Sequence, residues 1–262
     1  MQIKRVDFSK FSSIRVGGER RVYLIENEDE VFQLQNFQII GGGNNILVSP
    51  NGTLQLAQLS KKFDFIKIEK DLISIGGATP NGKIFNFAKR EDISGFEFLQ
   101  HIPSTLGGMV KMNAGLKGYE IFNNLVAIKT EKGWIEKGEI DYSYRHTDIE
   151  GVIFEAKFQL LPQFQKELIS LFQDMRSNQP KEPSAGSTFK NPKNYSAGKL
   201  LEDVGLKGFR LGDMQFSPLH ANFLINIGGG KFDDAIKLIE LGEKRVFEEF
   251  GVELEREICV IY

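Results

Sequence analysis

The sequence predicts a mixed α+β protein, and three observations carry that reading. The first two-thirds of the 262 residues break into short strand-like runs bounded by Gly, Asn, Pro or charged residues. The character changes around 162–175, beyond which helical patterns alternate with single strands. The longest amphipathic pattern, Phe232–Phe250, repeats apolar residues at Phe232, Ala235, Ile236, Ile239, Val246 and Phe250, close to the helical period.

The elements follow in order. Strands are expected at 22–25, 37–40, Ile46–Val48, 63–68 and 72–75. Pro80 opens a helix through Arg90, since a first-turn proline loses no needed N–H, and Ile84, Phe85, Phe87 and Ala88 form its apolar side. After a glycine-rich segment come strands Leu125–Thr130, 134–136 and 152–161, the last stopped by Pro162. Helices follow at 164–175 and 196–204, a strand at 222–226, the long helix with acidic Asp233 and Asp234 in its first turn and Gly251 as its stop, and a last strand at 258–262.

Composition removes several function classes. Lys plus Arg is 33 against 35 for Asp plus Glu, a formal charge of −2 that gives no overall reason to bind nucleic acid or an anionic membrane. The single cysteine, Cys259, rules out an intrachain disulfide and a multi-cysteine metal site, and its apolar surroundings suit a buried, inert thiol. His101, His146 and His220 lack metal-ligand spacing, so no metal is expected. No apolar run approaches the ~18 residues of a membrane helix, and the start has no signal-peptide core, which makes a cytoplasmic chain the expectation. Glycine, at 27 residues, exceeds the usual ~7% and points to turns or close backbone–ligand approaches.

Three glycine clusters follow from that excess. Gly41, Gly42 and Gly43, followed by Asn44 and Asn45, lie between two strands, where successive N–H groups can form a phosphate nest or merely close a hairpin. Ile46 stands where a dinucleotide fingerprint needs its third glycine, and a strand follows in place of a helix. Gly228, Gly229, Gly230 and Lys231 resemble part of a P-loop, but Phe232 replaces the Mg²⁺-holding Ser/Thr, so a loop leading into a helix is the better reading. The segment 102–115, rich in small residues, suits either a short helix packed on a sheet or a ligand wall.

Taken together, these strings resemble one family. Gly41 to Val48, Ser94 to Leu99, 102–115, Tyr144-Arg145, 185–192, His220 to Phe223 and Leu254 to Ile258 occur in the order found in the UDP-N-acetylenolpyruvoylglucosamine reductases, from about residue 12 to the C terminus. The chain is similar to the shorter second type, which lacks a long insertion carrying a substrate-clamping Tyr. The resemblance implies a vanillyl-alcohol-oxidase (PCMH)-type FAD-binding region over 1–162, with FAD lying between subdomains at roughly 1–48 and 49–162. A C-terminal α+β substrate domain would cover 163–262, its last strand returning towards the active site.

The resemblance also implies the chemistry. Such enzymes take hydride from NADPH onto FAD and pass it to an enolpyruvyl ether on a UDP-sugar, giving the lactyl ether of UDP-N-acetylmuramate for peptidoglycan synthesis. Cofactor contacts are carried over to Gly41, Gly42, Gly43, Asn44, Asn45, Ile46, Ser104, Thr105, Gly107, Gly108, Asn113, Ala114 and Gly115. Ser104 stands where the family usually has Gly. Ser187 matches the serine that protonates C2, Arg145 the arginine steadying the substrate carboxylate, and Glu257 the glutamate polarising the enolic oxygen, with Glu255 as its competitor. Lys190 and Asn191 would bind substrate. Gln179 and Leu219 stand where cations are usual, which redirects diphosphate contacts to Arg176 or Lys181. No obligate protein partner is implied. The alternative is an FAD-dependent oxidoreductase of the same fold acting on another substrate.

Overall fold

A computed structural model describes residues 1–262. The chain forms two compact units: Met1–Lys4, Val22–Gly42 and Gln55–Ser177 make the first, and Arg5–Arg21, Gly43–Leu54 and Asn178–Tyr262 the second. The fold is α+β. No helix is long and apolar enough to cross a membrane.

The first unit is built on an antiparallel sheet that runs, edge to edge, Gly133–Glu136, Leu125–Thr130, Glu155–Gln159, Leu72–Gly76, Ile66–Glu69. Its residues Ile73, Ile75, Ile128, Ala156 and Phe158 are buried, an alternation that turns one apolar face inward. Three helices share that core: Asn81–Arg90 through Ile84, Phe85 and Ala88, Leu106–Lys111 through Leu106, Met109 and Val110, and Glu167–Met175 through Phe172. Phenylalanine pairs edge-to-face here, Phe96 with Phe158 at 5.4 Å and Phe85 with Phe164 at 5.8 Å between ring centres. A smaller cluster around Ile25, Ala57, Phe63 and Phe154 lies against parallel strands, where Gln55–Leu59 pairs with Phe37–Ile39 and with residues 22–25 of Glu19–Ile25.

The second unit carries an antiparallel sheet ordered Ser184–Ser187, Phe223–Asn226, Met214–Phe216, Arg210–Leu211. The helix Phe232–Phe250 buries Phe232, Ala235, Leu238, Ile239, Gly242 and Val246, and Gly251 ends it at φ 65°, where a Cβ would be strained. The helix Ala197–Asp203 begins at Ser196, whose side chain accepts the Lys199 N–H at 3.4 Å. The strand Ile46–Val48 pairs in parallel with Cys259–Ile261, and burial pushes the Cys259 thiol pKa up, towards an unreactive group.

Several elements differ from expectation. Residues 152–161 do not form one strand; pairing with Leu72–Gly76 is limited to Glu155–Gln159, and Leu161–Pro162 turns to Ile93–Ser94. The expected strand at 63–68 is Ile66–Glu69, preceded by a 3-10 turn at Lys61–Phe63. The glycine loop before Phe232 leads into the helix as expected. Its N–H groups are already used: Gly228 and Gly230 donate to Asn226 Oδ1 at 3.0 Å, and Gly229 to Asp213 Oδ2 at 3.0 Å.

Candidate active site

In the first unit the strand Phe37–Ile39 leads to Gly41, whose backbone lines a cavity of about 1090 Å³. That lies just above the ~300–1,000 Å³ range of ligand pockets, room for a large cofactor. Thr105, Gly107 and Gly108 also line it. A Cβ on Gly41 would sit 2.6 Å from Thr105 Oγ1, so any larger residue here would force that hydroxyl to move. The N–H groups of Leu106 and Gly107 donate to the carbonyls of Thr79 and Gly77, each at 2.9 Å, which docks this wall onto the backbone of 77–79. Ser104 lies outside the positive-φ region, so its side chain brings no backbone strain, and its hydroxyl donates to the Thr105 carbonyl at 3.1 Å. Gln58, Lys4 and Lys111 line the same cavity. The sequence alone does not single them out, because long polar side chains on strands and helices read as solvated.

Arg145 is in this unit too. The strands Tyr142–Ser143 and His146–Thr147 pair with Ser143 opposite His146, so Tyr144 and Arg145 form the two-residue turn, Arg145 at φ 55°. A non-glycine residue there is strained, which is where functional side chains are often held. Its guanidinium donates to the carbonyls of Asn113 at 3.3 Å and Gly115 at 2.6 Å, so Arg145 is gathered onto the 113–115 segment. Asn113 is fully buried; its Nδ2 donates to Glu120 Oε2 at 2.7 Å and to the Ser143 carbonyl at 3.0 Å. Asn113 Oδ1 has no partner, an unsatisfied acceptor of the kind a ligand donor relieves. Arg176 caps the C terminus of Glu167–Met175, and burial, then the like charge of Arg145, lowers its pKa.

The second unit holds Ser187 and Glu257. Ser187 ends the strand Ser184–Ser187 after a bulge in which Gly186 takes φ 83°. The chain then pairs with the C-terminal segment: Glu257 N–H donates to the Thr188 carbonyl at 2.9 Å and Lys190 N–H to the Glu255 carbonyl at 2.8 Å. Ser187 and Glu257 are thereby held on neighbouring stretches of backbone. Lys190 Nζ lies 2.5 Å from Glu255 Oε1, so the competing acid is occupied by a salt bridge. Asn191 Oδ1 accepts the Ala197 N–H at 3.0 Å, capping a helix.

The asparagines of the glycine loop are also engaged within this unit. Asn44 Nδ2 donates to Ser13 Oγ at 2.8 Å, and Asn45 Nδ2 to the Glu257 carbonyl at 2.9 Å. Asn45 therefore ties the end of the loop to the backbone of Glu257. Ile46 is buried in the strand paired with Cys259.

The family described as UDP-N-acetylenolpyruvoylglucosamine reductase, C-terminal domain, matches residues 179–261. A UDP-N-acetylenolpyruvoylglucosamine reductase of Helicobacter hepaticus is 48% identical over 263 residues, covering 100% of both chains. One of Campylobacter jejuni is 46% identical over 261 residues, covering 98% of this chain and 99% of its own. The crystal structure of UDP-N-acetylenolpyruvylglucosamine reductase (MurB) from Thermus caldophilus superposes with a TM-score of 0.87 at 29% identity, covering 100% of both chains. With its glycine loop, Arg145 turn and paired 188–190 and 255–257 segments embedded in full-length similarity of this degree, the chain belongs to the UDP-N-acetylenolpyruvoylglucosamine reductase family.

Proposed function

We propose that this protein reduces UDP-N-acetylglucosamine enolpyruvate to UDP-N-acetylmuramate, with FAD as cofactor and NADPH as co-substrate, in the making of peptidoglycan precursors. The observation that carries the reading is the full-length 48% identity to a reductase of that name. The residues fit the cofactor: Gly41, Thr105, Gly107 and Gly108 line a cavity of about 1090 Å³ in the first unit, and outside that lining Asn113 carries a buried acceptor without a partner. We assign the cavity of the first unit to FAD, with Gly41, Thr105, Gly107 and Gly108 along its wall. The finer fold we assign is a vanillyl-alcohol-oxidase (PCMH)-type FAD-binding region over 1–162 and a substrate-binding domain over 163–262. The compact units divide the chain elsewhere.

FAD, when bound, carries hydride from NADPH to C3 of the enolpyruvyl group. The rest of the chemistry falls to side chains of this chain. Hydride addition leaves an electron pair at C2 that spreads into the neighbouring carboxylate, and Ser187 supplies the proton that ends on C2. A hydroxyl is a weak acid, so it depends on placement and on stabilisation of the charge it meets. Arg145 steadies the carboxylate with its planar fork, its own position held by two carbonyls of the 113–115 segment. Glu257 polarises the enolic oxygen. Lys190 and Asn191 meet the substrate's polar groups, each with donor capacity beyond the bonds described.

Anaerobic absorbance tests the reading. NADPH is expected to bleach the flavin bands, and the enolpyruvyl substrate to restore them. Ser187→Ala keeps the bleaching and slows the restoration by about 10²–10⁴-fold, the range of a lost general acid. Bleaching without restoration in the unaltered protein would end the reductase assignment and leave a flavoenzyme acting on another substrate.

A further inference from the structure

One wall of the cavity carries a polar chain whose two side chains, Lys4 and Gln58, lie outside the motifs described above. Lys4 Nζ donates to Gln58 Oε1 at 2.6 Å, and Gln58 Nε2 donates to the Gly41 carbonyl at 2.8 Å. All three residues line the cavity and belong to the first unit. Lys4 and Gln58 are both half-buried.

The order of donors in this chain is forced. An ammonium has three donors and no acceptor, so it can meet the Gln58 amide only through that amide's oxygen. That leaves the amide nitrogen for Gly41, whose carbonyl can only accept. A trans peptide with a fixed carbonyl has its N–H fixed in the opposite direction, so the Gly42 N–H is turned away from Gln58. Without the ammonium, the Gln58 amide is free to flip, and its oxygen then opposes the Gly41 carbonyl. The first peptide of the glycine loop is thus tied, through Gln58, to a lysine on the strand Gln2–Asp7.

We propose that Lys4 is a positioning residue for FAD binding, acting through Gln58 to lock the Gly41–Gly42 peptide in the orientation that receives the cofactor. The proposal rests on the assignment of this cavity to FAD. Burial lowers the Lys4 pKa, the expected mark of an amine held against the protein interior.

The test is FAD affinity, read by flavin fluorescence, on the full chain and four variants: Lys4→Arg, Lys4→Met, Gln58→Leu and the double Lys4→Met/Gln58→Leu. Lys4→Met is expected to raise the Kd for FAD about tenfold, the scale of one lost charge-assisted hydrogen bond. Lys4→Arg keeps the Kd within about twofold, since a guanidinium also offers only donors. In the Gln58→Leu background, Lys4→Met adds nothing, because the relay is already cut. An undiminished effect of Lys4→Met in that background means that Lys4 acts on the cofactor directly and overturns the relay. A Kd unchanged in Lys4→Met overturns it as well. Lysine acetylation of the unaltered protein with and without FAD separates the two levels of the argument. Protection of Lys61 and Lys111, which also line the cavity, is expected; binding of FAD without that protection removes the cavity assignment itself, and the proposal with it.

Discussion

Asn222 makes two hydrogen bonds to one residue: its Oδ1 accepts the Phe189 N–H at 3.0 Å and its Nδ2 donates to the Phe189 carbonyl at 2.8 Å. The side chain is 3% exposed, so truncation leaves two buried backbone groups without partners. Asn222→Ala is therefore expected to cost about 2–4 kcal/mol, at about 1–2 kcal/mol per orphaned group, measured as a lower denaturation midpoint in urea. A midpoint unchanged from the parent would contradict the clamp. The string His220 to Phe223 was legible as a motif, yet the job of Asn222 was not, because its partner lies on a distant stretch of chain. The same reason applies to Lys190 and Asn191, read from the sequence as substrate contacts. In the folded chain Lys190 pairs with Glu255 and Asn191 caps a helix, neither partner being identifiable from local spacing.

Elements whose stability is local were the most legible. The helix Phe232–Phe250 is bounded as its periodicity and Gly251 indicate, since its hydrogen bonds lie within the segment. Strand boundaries moved because their partners are elsewhere: the Phe154 N–H goes to the Lys129 carbonyl and the Gln159 N–H to the Asn124 carbonyl, framing Glu155–Gln159. The turn before Phe223–Asn226 adds a pH-sensitive feature. His220 Nδ1 accepts the Asn222 N–H at 3.3 Å, which requires that nitrogen to be unprotonated, and burial lowers the His220 pKa. A histidine depressed on folding binds fewer protons folded than unfolded as pH falls below the usual value of about 6.5. Its contribution is complete above that value and is lost progressively as pH falls towards the folded pKa. The melting temperature is expected to fall between pH 7 and pH 5, with a shallower slope in His220→Gln; equal slopes would remove His220 from the account. His101, also lowered by burial and then by Arg176, acts in the same direction in the first unit and remains in that variant.

At the scale of the whole molecule, the cofactor itself contributes stability. A ligand that binds only the folded chain adds about 2.7 kcal/mol at a free concentration of about 100 Kd. Thermal melts of FAD-depleted protein titrated with FAD are expected to rise with concentration, and a midpoint that stays constant would contradict a folded-state FAD site.

The sequence by itself determined the family, the α+β class and the long C-terminal helix. Each is encoded either in local periodicity or in motifs that stand in order along the chain. Only the tertiary structure decided how the chain is shared between units, with Arg5–Arg21 and Gly43–Leu54 belonging with the C-terminal residues. It also decided that Ile46–Val48 pairs with Cys259–Ile261, that Arg145 is held by the 113–115 segment and that Lys4 reaches Gly41 through Gln58. The physical reason is common to all of these. A backbone N–H or a half-buried amine must find an acceptor, but its chemistry does not say where along the chain that acceptor lies, and folding makes the choice.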